Sequence, residues 1–174
     1  MLLALGVTWI ALSKVPAEIA DARASSSPRP RKGFAAPDFT LETLDGQTIT
    51  LSGLQGRAVL INFWASWCLP CRKEMPAIQQ VYERYRDRNF IVLAVNLQEQ
   101  DAQVSAFADQ LGLTFPILMD RDGSVFDRYQ VSALPSTFFV SQAGVIQDVA
   151  VGGPLSRAFI ESQVAPLLVR GGSE

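Results

Sequence analysis

Histidine is absent from the 174-residue sequence. That absence alone excludes Ser/His/Asp hydrolysis, Cys/His proteolysis, HExxH zinc chemistry and histidine general-base catalysis. Cysteine is nearly as scarce: Cys68 and Cys71 are the only two, too few for a disulfide-stapled scaffold or a four-thiolate zinc site. Charge is sparse as well, at 18% of residues against 48% apolar, a balance that excludes disorder over the whole chain and any coiled coil. Cations are short where they would matter for nucleic acid. Residues 1–36 hold Lys14, Arg23, Arg29, Arg31 and Lys32 against Glu18 and Asp21, which leaves the remaining chain with a formal charge of −5. Such a body offers no phosphate-binding footprint, so no nucleic-acid partner is expected.

Met1 to Leu12 (MLLALGVTWIAL) is apolar on all sides. It has the length of a signal-peptide apolar region and falls short of the roughly 20 residues a spanning helix needs. A basic n-region is missing. Either translation starts upstream and a longer anchor has been clipped, or Ala20-Asp21-Ala22 is a poor cleavage site, and both readings mean export, to the periplasm or the outer face of the cytoplasmic membrane. Ser25 to Gly33 (SSSPRPRKG) has the composition of a flexible tether. The domain reading is therefore a signal or signal-anchor segment at 1–12, a tether at 13–35 and one folded domain at 36–174.

Inside that domain, Asp38 to Leu41 and Thr48 to Leu51 flank Asp45-Gly46 and read as a hairpin. Ala58 to Phe63 (AVLINF) is the continuous apolar run of a parallel strand covered on both faces. Met75, Ile78, Val81, Tyr82 and Tyr85 recur at helical spacing, predicting a helix to about Arg88 with Pro76 kinking its first turns. A strand at Phe90 to Val95, a helix at Ala102 to Leu111, a short strand at Ile117 to Met119 and a short helix at Val125 to Tyr129 follow. Ser136 to Val140 and Val145 to Val151 read as a hairpin, and Leu155 to Val169 as the closing helix. Trp64, Phe138, Phe139 and Val140 read as core, and Asp120 to Asp122 as a turn, because Arg121 interrupts any cation site. The order is ββ, then βαβ with an extra unit, then ββα.

Trp67-Cys68-Leu69-Pro70-Cys71 lies between a buried strand and a helix, which gives the CxxC its meaning. At a helix N-terminus the unpaired N–H groups and the macrodipole stabilise a thiolate at Cys68. Cys71, one turn on, is placed to resolve a mixed disulfide. Zinc would need further ligands, c-type haem attachment would need histidine where Arg72 stands, and a staple closing so small a loop would stabilise little. Redox chemistry remains, with Cys68 the exposed attacking thiol and Cys71 the shielded one. It calls for no metal and no cofactor.

Val59 to Pro76 (VLINFWASWCLPCRKEMP) resembles the thioredoxin active-site strand, turn and kinked helix, and Leu134-Pro135-Ser136-Thr137 resembles that fold's cis-proline loop. The opening AAPDFTLETLDGQTITLSGLQGRAVLINFWASWC, the room between Asn96 and Leu134 for an added αβ unit, and the export segment together resemble the membrane-tethered TlpA/ResA-like thiol-disulfide oxidoreductases. The resemblance implies an α/β thioredoxin-like fold with an N-terminal β-hairpin and an αβ unit inserted between the βαβ and ββα halves. It implies disulfide-containing client proteins, apocytochrome c among them, and recharging by a membrane electron-donor protein. It also implies a client groove shaped by Trp67, Pro70, Leu134 and Pro135, in which an extended client pairs with Leu134 as an added strand.

Two positions qualify the likeness. Asn62 stands where thioredoxin has a buried acid, so that fold's proton relay is missing here. Glu74, three residues after Cys71, matches an acid of the reductive tethered members; it is either a proton shuttle or an acid favourably placed in the first helical turn. Leu69 replaces the glycine common in thioredoxin. Two other functions compete: a peroxiredoxin-type peroxidase, disfavoured because Ala65 and Trp67 flank the cysteine, and a non-catalytic docking module.

Overall fold

The computed structural model describes residues 27–168. The segment expected at 1–12 and most of the tether lie outside them. Among the described residues no helix is long and apolar enough to cross a membrane.

A five-stranded sheet forms the centre, in the order β5-β4-β3-β6-β7. β3 (Ala58–Trp64) runs parallel to β4 (Phe90–Leu97), which runs parallel to β5 (Ile117–Asp120); β6 (Ser136–Val140) and β7 (Ile146–Val151) are antiparallel. All seven residues of β3 are buried, the expected state of a central strand covered on both faces. Its alternation sorts the core. Leu60 and Trp64 face the layer of α1 (Leu69–Tyr85), α2 (Asp101–Leu111) and α4 (Arg157–Leu167), with Met75, Ile78, Phe107 and Ile160. Val59, Ile61 and Phe63 face the opposite layer, which includes α3 (Ser124–Arg128). There Phe63 meets Phe126, Tyr129 and Phe138 at ring-centroid distances of 4.9, 5.1 and 5.7 Å. The one polar side chain in β3 is Asn62.

β1 (Thr40–Glu42) and β2 (Thr48–Thr50) form a separate two-stranded antiparallel ribbon. Its turn lies along β5, where Leu44 N–H donates to Ile117 O at 2.8 Å, so the sheet's outer edge is covered rather than left open. The expected tether boundary at Ala36 is too late. Gly33 N–H donates to Ile146 O (2.8 Å), Ala36 N–H to Gly144 O (2.9 Å), and Ala35 bridges Val145. Polar composition concealed a backbone that the edge of β7 satisfies. α1 ends at Tyr85 rather than Arg88 and runs through Pro76, and Asp120 does more than turn the chain: its buried carboxylate accepts from Val125 and Phe126 N–H at the start of α3.

Candidate active site

β3 and α1 are separated by only Ala65–Cys68, so the apolar strand delivers the chain directly to the N-terminus of α1. Cys68 is the N-cap residue: its sulfur accepts from Cys71 N–H at 3.3 Å, and Pro70 in the first turn forgoes a donor that would have had no partner. Cys68 and Cys71 form a disulfide with Cα atoms 5.3 Å apart. Cys71 is fully buried and Cys68 is 5% exposed. The expected exposure of Cys68 is not seen in the oxidised state, in which both cysteines are buried. Trp67 (64% exposed) and Leu69 (69% exposed) carry the open surface beside it.

That surface continues as an apolar groove of about 570 Å³, lined by Trp67, Cys68, Pro70, Phe126, Val131 and Leu134. Leu134 precedes a cis Pro135. Pro135 is buried, and its carbonyl accepts from Gly152 N–H at 2.8 Å. A second cavity of about 420 Å³, between the β1–β2 turn and α1 and α2, contains none of the expected site residues.

A buried polar cluster surrounds Glu74, one turn along α1 from Cys71. Glu74 has no exposure. Its Oε1 accepts from Asn62 Nδ2 at 2.9 Å and its Oε2 from Leu155 N–H at 2.9 Å. Asn62 Nδ2 also donates to Thr137 Oγ1 at 2.9 Å, leaving Asn62 Oδ1 without a partner. Burial raises the Glu74 carboxyl to a pKa of about 7, against the lowering effect of the Leu155 N–H and the Asn62 amide. The helix-dipole reading of Glu74 does not fit its place in α1. The residue lies beyond the first turn, which contains no acidic residue. Gly153 completes the cluster: a Cβ there would lie 2.6 Å from Glu74 Oε2 and 2.7 Å from Pro135 Cγ.

Residues 33–149 match the AhpC/TSA family. The chain belongs to the AhpC/TSA family. Among its relatives, the thioredoxin-like protein YneN of Bacillus subtilis is 46% identical over 125 residues, 70% of this chain and 72% of that protein. The thiol-disulfide oxidoreductase ResA of Geobacillus kaustophilus is 41% identical over 120 residues, 69% of each chain. A crystal structure of a thiol:disulfide interchange protein of the thioredoxin family from Chlorobium tepidum superposes with a TM-score of 0.69 at 28% identity, covering 83% of this chain and 99% of that one. The family, the fold and the Cys68–Cys71 pair together make the chain a thioredoxin-like thiol-disulfide oxidoreductase.

Sequence reasoning named Cys68, Cys71, Glu74, Trp67, Pro70, Leu134 and Pro135, and the structure gathers all seven at one end of the sheet. It missed Thr137, Gly153 and Leu155 around Glu74. Gly152-Gly153-Pro154 carries a turn signal in the sequence, but nothing local says that the turn closes over a carboxyl group in a different element.

Proposed function

We propose that the chain is an exported, membrane-tethered reductase of client disulfides, with apocytochrome c before haem attachment as the client class. The observation that carries this reading is the Cys68 sulfur at the N-terminus of α1, opening onto an apolar groove with Glu74 buried behind it. The reduced Cys68 thiolate attacks one sulfur of the client disulfide; that S–S bond breaks, a Cys68–client bond forms and a client thiolate leaves. Glu74, whose pKa near 7 lets it exchange protons at neutral pH, takes the Cys71 proton. The Cys71 thiolate then attacks Cys68, releasing the second client thiolate and closing the Cys68–Cys71 disulfide. Two electrons have passed to the client, and the protons follow to its thiols.

Leu134 makes no backbone hydrogen bond among the described residues, and in this reading it pairs with an extended client strand. An exported compartment is oxidising, so the dithiol has to be recharged by an electron-donor protein in the membrane, near which Met1–Leu12 and the segment after it would hold the domain. Deleting the protein should lower holocytochrome c, and an added thiol reductant should restore it. Normal cytochrome levels, with misfolding of other exported disulfide proteins instead, would replace the cytochrome reading with that of an oxidase or isomerase.

A further inference from the structure

The loop Ala65–Cys68 carries the redox sulfur, yet it belongs to neither β3 nor α1, so its backbone polar groups need partners from elsewhere. Ser66 obtains all of its partners from side chains. Its N–H donates to Glu99 Oε2 at 2.6 Å, its hydroxyl to Glu99 Oε1 at 2.5 Å, and its carbonyl accepts from Arg72 Nη1 at 3.2 Å. Arg72 is itself held over the Phe107 ring, 4.9 Å from its centroid. Glu99 stands between β4 and α2, and the same carboxylate also accepts from Asn96 Nδ2 at 2.7 Å and Gln103 Nε2 at 2.8 Å. Gln103 Nε2 reaches Ser66 Oγ as well, at 2.9 Å.

The orientation of Asn96 shows how strongly this carboxylate organises its surroundings. Asn96 is fully buried and turns its amide nitrogen to Glu99, leaving its own Oδ1 with no partner. Reversing the amide would set two acceptors against each other. The turn that spans Ser66 is closed by Cys68 N–H, which donates to Ala65 O at 3.2 Å.

We infer that Glu99 is a positioning residue of the redox centre, which through Ser66 holds the sulfur of Cys68 against the N–H groups at the start of α1. Glu99 touches neither sulfur in this role. It sets the backbone from which the Cys68 sulfur accepts the Cys71 N–H, the interaction that favours a thiolate. This adds a residue on a separate loop to the dithiol chemistry and holds whichever way electrons flow.

The test compares the reduced full-length protein with Glu99→Gln. Glutamine keeps the shape and one acceptor oxygen but turns an NH₂ toward groups that are themselves donors. The rate of Cys68 alkylation by iodoacetamide is followed from pH 5 to pH 10, the labelled cysteine being assigned by mass spectrometry. The variant should react about three- to tenfold more slowly near pH 7 and at the wild-type rate near pH 10, because only the thiolate fraction has changed. A displacement to lower pH would show instead that the carboxylate acts on the thiol through its charge, and superimposable profiles would leave Glu99 a scaffold residue; either overturns the inference. Should Glu99→Gln fail to fold, Ser66→Ala, which retains the backbone N–H donor, should show a smaller displacement in the same direction. Profiles matching the wild type would overturn it.

Discussion

Glu74 ties the cysteine helix to three other parts of the chain: Asn62 in β3, Leu155 before α4, and the Gly153–Pro135 contact. Its raised pKa fixes the sign of a stability effect. The folded protein binds this proton more tightly than the unfolded chain does, so the contribution of Glu74 to stability is complete below the unfolded value of 4.5 and is lost as pH rises toward about 7. A shift of that size costs on the order of 3 kcal/mol above the window. Denaturant melts from pH 4 to pH 8 should show this fall in the wild-type protein and lose it in Glu74→Gln; parallel curves would mean that Glu74 is not the group. In the reduced protein, Glu74→Gln should also alter the pH dependence of Cys71 resolution while leaving the fold intact, and unchanged exchange kinetics would remove the shuttle role. Gly153→Ala forces a Cβ against Glu74 Oε2 and Pro135. Overpacking of this kind should destabilise by about 1–3 kcal/mol in denaturant titrations. Asn62 and Glu74 were each singled out by the likeness to thioredoxin and to its tethered relatives. Their hydrogen bond was not legible, because it depends on which face of β3 turns toward α1.

At the scale of elements, hydrophobic patterning located the strands and helices because burial on both faces of β3 and β4 leaves little choice of residue. Ends were harder to read. α1 stops at Tyr85, and its following carbonyls and amides are satisfied by local turns that no periodicity reports. Arg29 to Ala35 has the composition of a linker but docks on β7 through backbone bonds, which do not depend on side-chain type. Phe63 is the element-scale test of the layer opposite α1: it is fully buried within an aromatic cluster. Phe63→Ala should lose about 3–5 kcal/mol of stability by chemical denaturation. A loss below about 1 kcal/mol would show that the α3 layer does not depend on it.

For the whole molecule, the sheet brings to one end a helix N-terminus, an apolar groove, a buried acid and a loop held by Glu99. The dithiol chemistry was legible because the CxxC sits at a strand-to-helix junction, a local pattern. The polar clusters behind it were not, since they join residues 33 and 81 positions apart in the chain. In the proposed reaction Cys68 is the attacking thiol and Cys71 the resolving one. The most direct test is to produce Cys71→Ser and Cys68→Ser separately in the native host, quench with acid, alkylate, and separate the protein on non-reducing gels. Cys71→Ser should accumulate reductant-sensitive mixed disulfides with client proteins, because the attacking thiol remains and the resolving one is gone, while Cys68→Ser should show none. Mixed disulfides on Cys68→Ser alone would contradict the assignment.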